Sequence, residues 1–298
     1  IWVNSAGNAA KAHLLMDFTD TDGDGWHEFP NGEETLPITL ETGERVMSLT
    51  WDDRWGGASE DYDLYVFADS STGYEEIVSS RESQSGGGAD EPYEFLYSYL
   101  DSSRNYYLAI QAVRITRPGR LNLLGDNYME FFHWMAEGSI KTPCDAAGIL
   151  CVGATYWKDD TLEDFSCQGP TADGRLKPDI SAPDGVTNAT LKKFFGTSAS
   201  TPHVAGAAAL VWQAYQGYPS AQIMQYLLTH ALDLGPPGPD HGYGAGRLNL
   251  PLPPDPSTIQ PVPPAASTSI QKITQEHNVF QDDQKGMNIH VDLNIENF

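Results

Sequence analysis

Residues 196–206 read Gly-Thr-Ser-Ala-Ser-Thr-Pro-His-Val-Ala-Gly and hold a hydroxyl placed for nucleophilic chemistry. Ser198 opens a run of small and apolar residues through Val204, Ala205, Ala208, Ala209 and Val211, which predicts a helix from Ser198 to about Gly217. A hydroxyl at a helix start sits among backbone N–H groups without intrahelical partners, where negative charge is stabilised. That suits an acyl-transfer nucleophile, because the tetrahedral oxyanion forms within reach of those donors. Gly196 allows close backbone approach to a substrate, and Gly206 allows tight helix packing. Read by itself, Ser198 is equally an N-cap ahead of a buried alanine-rich helix.

The stretch resembles the serine motif of the subtilisin-like peptidases, the subtilases, and the resemblance recurs in that family's order. Val3-Asn4-Ser5-Ala6-Gly7-Asn8 is similar to the segment bearing the oxyanion-hole Asn, which would be Asn8. Val152-Gly153-Ala154, Phe165–Pro170 and Asp173–Pro183 resemble the strands and loops before the serine, and Tyr243–Asn249 resembles the closing element. The resemblance implies that Ser198 attacks the substrate carbonyl after an upstream His takes its proton. It further implies that Asn8 and the Ser198 N–H hold the oxyanion. Ser5, Ala6 and Gly7 would form one wall of the pocket for the residue preceding the scissile bond. Gly138–Pro143 would lie near its floor, where Lys141 either favours acidic side chains or, as expected of a lysine, faces solvent.

In this family the catalytic Asp and His precede the Asn, and no Asp-Thr-Gly or His-Gly-Thr-His segment occurs in the chain. His203 sits five residues past Ser198 on the same predicted helix, which points it away from the hydroxyl. His13 and His133 flank what reads as an insertion, and His277 and His290 lie beyond the closing element. The expectation is a fragment of a serine endopeptidase holding half the active site. Two rivals stand beside it. One is the sedolisin-type acid serine peptidase, with an Asp at the oxyanion position and carboxylates in place of His. The other is a non-catalytic peptide-binding protein of subtilase fold.

Composition bounds the partners. A formal charge of −24, from 17 Lys+Arg against 41 Asp+Glu, excludes the clustered cations that nucleic acid requires. No apolar run approaches the roughly 20 residues of a membrane span. The balance fits an extracellular, cation-binding protein, and the resemblance implies a secreted monomer acting on polypeptide. Three cysteines are too few for a disulfide scaffold; Cys144 and Cys151 flank a loop entering a strand and either bridge or stay as buried thiols. Cys167 reads as a small packed residue.

The expected fold class is α/β: a partial subtilisin-like parallel sheet with flanking helices, interrupted by an inserted antiparallel β-sandwich or jelly-roll-like domain. Asn8 and Ser198 lie 190 positions apart, and the excess falls between about His13 and Gly138. Runs at 46–51, 62–67, 93–97 and 106–110 alternate and are rich in aromatics, as in antiparallel strands. Residues 14–137 contain 25 Asp+Glu against 7 Arg and no Lys, so −18 of the charge lies there. The expected domains are 1–13 plus 139–250 for the catalytic part, 14–138 for the acidic insertion, 251–269 for a Pro-rich linker, and 270–298 for the start of a truncated β segment. A strand at 149–154 and a second helix from Ser220 to about Ala231 complete the catalytic part. Met287, Ile289, Val291, Leu293 and Ile295 alternate with polar residues as a strand.

Two further clusters carry chemistry. Asp20, Asp22 and Asp24 space carboxylates two apart, with Glu28 beyond, resembling the first half of an EF-hand-type calcium loop; a solvated acidic turn is the alternative. Asn31 stands where that loop expects a bidentate Glu. Trp51, Trp55, Tyr62, Tyr65 and Tyr97 form either a binding face for polypeptide or glycan or, more in keeping with short strands, core and cross-strand pairs.

Overall fold

The computed structural model describes residues 1–251, 267–281 and 284–296. In chain order the strands are β1 (Trp2–Ser5), β2 (His13–Asp17), β3 (Leu36–Leu40), β4 (Gly43–Trp51), β5 (Asp61–Ser70), β6 (Gly73–Ser80) and β7 (Tyr93–Leu100). They continue with β8 (Tyr106–Arg114), β9 (Arg120–Gly125), β10 (Met129–Phe131), β11 (Ile149–Tyr156) and β12 (Ile180–Asp184). Helices α1 (Thr197–Ala214) and α2 (Ser220–Thr229) follow, then β13 (Ser267–Gln281) and β14 (Gln284–Glu296).

Parallel pairing builds the sheet β1-β11-β12, with Ser5 opposite Val152 and Tyr156 opposite Asp184. β11 is buried along nearly its whole length, as a strand covered on both faces must be, which explains its unbroken apolar run. The closing element runs beside β12: Ala245 N–H bonds Asp179 O, and Ser181 N–H bonds Gly246 O. Gly244 and Gly246 have positive φ, and a Cβ at either would lie within 2.6 Å of backbone atoms, so glycine is required at both. A buried ion pair, Lys177 Nζ to Asp179 Oδ2 at 2.6 Å, ties the chain before β12 to β11, because the same oxygen accepts the Cys151 N–H.

The acidic segment forms two antiparallel sheets, β2-β9-β4-β7 and β10-β3-β8-β5-β6. The four runs anticipated as strands fall on β4, β5, β7 and β8. β4 alternates as its sequence does, with Met47, Leu49 and Trp51 inward. These meet Leu64, Leu108 and Ile110 from the other sheet in one apolar core. The same core takes in Ala6, Ala9, Ala12, Cys144, Cys151 and Cys167. The acidic segment therefore packs against the chain that leads to and from the parallel sheet. Residues 1–213 and 217–252 form one compact unit, and 214–216 with 253–298 a second. In the second, β13 and β14 pair as an antiparallel hairpin, so the anticipated period-two strand at 287–295 lies on β14. The Pro-rich linker expected at 251–269 falls mostly outside the described residues.

Cys144 and Cys151 are joined by a disulfide with Cα atoms 5.2 Å apart, and Cys167 is a buried free thiol. The bridge closes a short loop directly before β11, so it restricts the unfolded chain next to the strand that pairs β1. Replacing both cysteines by Ser is expected to cost about 2–3 kcal/mol, less than a long-range bridge would. Urea denaturation of the double variant beside the parent checks it.

Candidate active site

β1 ends at Ser5, and the chain then crosses the carboxyl edge of the parallel sheet, where ligands bind in open α/β folds. Ala6 N–H bonds Val152 O at 2.9 Å, continuing the ladder by one residue. Gly7 then turns with φ +113°, and a Cβ there would lie 3.0 Å from Cys167 Sγ. This turn aims Asn8 at the start of α1. Asn8 Oδ1 accepts two hydrogen bonds from Thr197, from its N–H at 2.9 Å and its hydroxyl at 2.8 Å. Thr197 Oγ1 in turn accepts the Gly7 N–H at 3.2 Å. With Oδ1 held from one side, the Asn8 Nδ2 donors lie over Gly196, whose Cβ would meet Nδ2 at 2.9 Å.

Ser198 is the second residue of α1 and is exposed, between buried Thr197 and buried Ala199. Ala199 and Ser200 N–H both bond Gly196 O, while the Ser198 N–H has no protein acceptor among the described residues. Asn8 and Ser198 are therefore brought to one place by contact of Asn8 with the residue before the serine. Ser5 and Gly7 are partly exposed there, but Ala6 is fully buried and offers no surface.

His13, His27, His203 and His230 are engaged by groups other than Ser198. His13 is buried between Met135 O and Asn122 Oδ1, and burial pushes its pKa down. Burial likewise brings His27 to about 4. His203 contacts Ala199 O through Nδ1, one turn back on its own helix. His230 does the same with Tyr226 O. The ring nitrogens His133 Nε2 and His241 Nδ1 are buried without partners.

The solvent-facing position expected for Lys141 is not what the structure has. Its stem lies under Gly7, with Cδ 3.9 Å from where a Cβ would be, and Nζ donates to Gly125 O at 3.0 Å. The stem is long enough to fill the space below the turn while its ammonium finds a carbonyl, and burial lowers its pKa. Cys167 packs from the opposite side, its thiol pKa raised by burial, which leaves it inert.

One oxygen each from Asp20, Asp22 and Asp24 lies within 4.8 Å of the others. Glu28 stands outside this group, its carboxylate accepting the Thr21 hydroxyl. Of the aromatic set, Trp51, Tyr62 and Tyr65 are core residues, whereas Trp55 and Tyr97 are largely exposed. Tyr97 belongs to an outward row on the edge strand β7 with Tyr93, Phe95 and Tyr99.

Sequence reasoning passed over Asp184 and Glu163. Asp184 ends β12, is fully buried, and accepts the Gly196 N–H through Oδ2 at 2.8 Å. A carboxylate straight after Ser-Ala-Pro, twelve positions before Gly196, was the available signal.

Part of the chain resembles known proteins. Residues 126–246 match the model of the subtilase family. The chain is 36% identical over 112 residues to Subtilisin Savinase of Lederbergia lenta, covering 38% of this chain and 40% of that protein. It is 32% identical over 132 residues to an extracellular serine protease of Serratia marcescens, covering 42% of this chain and 12% of that one. The matched stretch thus spans well under half the length of these relatives. Among solved structures, the Clostridium perfringens CspB protease superposes with a TM-score of 0.55 at 16% identity, covering 83% of this chain and 57% of that one. Asn8 lies before the family match, so its place in the site rests on geometry alone.

Thr197→Val keeps the shape but removes the hydroxyl that links Gly7 and Asn8. The expected loss is about 1–3 kcal/mol, since a buried carboxamide oxygen and an N–H each lose a partner. Thr197→Ser should restore most of it, as read by denaturant midpoints of the two variants.

Proposed function

We propose that these residues supply the nucleophile and the oxyanion hole of a secreted serine endopeptidase of the subtilase type. Ser198 attacks the peptide carbonyl; the Asn8 carboxamide and the Ser198 N–H receive the charge that develops on oxygen. The observation that carries the reading is the pair of hydrogen bonds from Thr197 to Asn8 Oδ1, which leaves the Asn8 Nδ2 donors over Gly196, two residues before the exposed serine. In this chemistry a His takes the Ser198 proton and an Asp orients it, and neither the Asp-Thr-Gly nor the His-Gly-Thr-His segment of the family occurs in these 298 residues. Polypeptide is the substrate, with Ser5 and Gly7 at the wall of its pocket. An Asn at position 8 favours this chemistry over the sedolisin type.

In this reading residues 14–138 are an antiparallel β-sandwich inserted between the oxyanion Asn and the serine. The shared core of the two antiparallel sheets supports it, as does the 83% coverage by the CspB fold, which must extend over much of this segment. We also propose that Asp20, Asp22 and Asp24 take a calcium ion. The donor set suits a hard cation, and the crowding of charge is visible at Glu34. Its carboxyl is held above the usual range by burial and then by Asp24, Asp22, Glu28 and Asp20. The Asp20 oxygens also accept the Gly23 and Gly25 N–H groups, which fixes the loop without an ion.

Two outcomes are expected. In the protein completed with its Asp and His, a fluorophosphonate labels Ser198 and Ser198→Ala abolishes labelling, while these 298 residues alone turn over no peptide substrate. Asn8→Ala lowers kcat about 10²–10³-fold with little change in KM, a magnitude known from subtilisin rather than from this geometry. An unlabelled serine in the completed protein would leave a peptide-binding role instead. For calcium, titration calorimetry should show heat that Asp22→Ala removes; no heat with the parent discards the ion.

A further inference from the structure

Behind the serine turn lies a second pair of acidic groups that the proposed chemistry does not use. Asp184 is fully buried at the end of β12, with Oδ2 accepting the Gly196 N–H at 2.8 Å. Its other oxygen, Oδ1, is buried and has no donor. Glu163 reaches it from the strand-like segment after β11, anchored by Glu163 N–H to Ala154 O and by the bridge of Thr155 with Leu162. Asp184 is among the causes that hold the Glu163 carboxyl above its usual range, after burial, so the two acids influence one another. Two ionised carboxylates there would repel, whereas one proton between them would give the orphaned Oδ1 a donor.

We propose that Glu163 and Asp184 share one proton and act together as positioning residues for Ser198. Protonated Glu163 donates to Asp184 Oδ1, and Asp184 Oδ2 then holds the Gly196 N–H. Gly196, at φ +114°, is the residue on which Asn8 Nδ2 rests, and the next N–H is the one Asn8 Oδ1 accepts. The pair therefore sets the turn from which both proposed oxyanion donors are presented, so its role in catalysis rests on the peptidase reading.

The surroundings favour holding the proton. Burial, then the hydrogen bond to Asp184, then the charges of Asp184, Asp164 and Asp159 raise Glu163 to about 7, and burial raises Asp184 as well. Nearby cations are committed elsewhere: Lys11 pairs with Asp164 and Glu130, Arg247 with Asp160, and Lys158 lies over the Tyr156 and Trp157 rings. Glu163 opens onto a pocket of ≈ 350 Å³ with Tyr156, Asp159, Thr161 and Phe195, so the proton exchanges with solvent. Because the folded value lies above the unfolded one, the pair's contribution is complete below about pH 4.5 and is lost as pH rises through about 7.

The test uses the chain itself and then the completed protein. In the parent chain the Gly196 amide resonance should follow one titration near pH 7, matched by the Glu163 side-chain carboxyl carbon. In Glu163→Gln, whose amide donates permanently, the Gly196 titration should vanish; in Asp164→Asn it should persist. In the completed protein, the ratio of fluorophosphonate labelling rates, parent over Glu163→Gln, should fall about fivefold between pH 6 and 8, roughly the worth of one hydrogen bond. A Glu163 carboxyl titrating near 4.5, or a Gly196 amide indifferent to pH, overturns the proposal, and the first needs no variant to fold. A pH-independent labelling ratio with intact Gly196 titration overturns the positioning role. If Ser198 is never labelled, the peptidase reading fails while the carbon titration still decides the shared proton.

Discussion

One carboxamide oxygen holds the site together. Asn8 Oδ1 takes both donors of Thr197, across 189 positions of sequence, and thereby fixes the strand that begins the chain to the helix that carries the serine. Everything between must fold so that these two ends meet. The Gly7 turn, the Cys167 sulfur behind it and the Lys141 stem beneath it form a rigid floor for that contact. In the proposed chemistry, oxyanion stabilisation depends on donors in place before charge develops, and a carboxamide locked through its oxygen would be such a donor.

The long acidic segment could have separated the two halves of the site, but it does not. Its two antiparallel sheets share one core with Ala6, Ala9 and Ala12 and with Cys144, Cys151 and Cys167. A segment that buries apolar surface against the chain on both of its flanks restrains them, since moving either flank would open the core. Most of its charge stays at the surface, although Arg45, Glu60, Asp61, Asp63 and Glu94 are buried, while the inward alternation of Met47, Leu49 and Trp51 supplies the packing.

Many polar groups buried around the serine are paired, but Ser200 Oγ, Thr155 Oγ1 and Asp184 Oδ1 have no partner. Lys177 and Asp179 satisfy each other and two backbone groups where β11 meets β12. Asp184 Oδ1 stands out as an acceptor without a donor beside a second carboxyl, in the strand end that faces the serine turn. Such exceptions concentrate at sites where a protein does more than fold.

Much was legible from the chain alone. The small-residue run after Ser198 gave α1, the alternating aromatic runs gave β4, β5, β7 and β8, and the unbroken apolar run at 149–154 gave β11, because local periodicity reports which faces are buried. The motif order placed Asn8 and Ser198 as partners. What periodicity does not encode is which groups meet across the fold. Lys141 reads as a surface lysine until Gly7 is seen above it; Cys144 and Cys151 read as either thiols or a bridge until their Cα atoms stand 5.2 Å apart. Asp184 and Glu163 carried no local signal as a pair, since their significance comes from burial and mutual influence. Sequence determined the residue types and the elements that carry them. Tertiary packing alone decided which of those groups lose water and face one another, and that decides their chemistry.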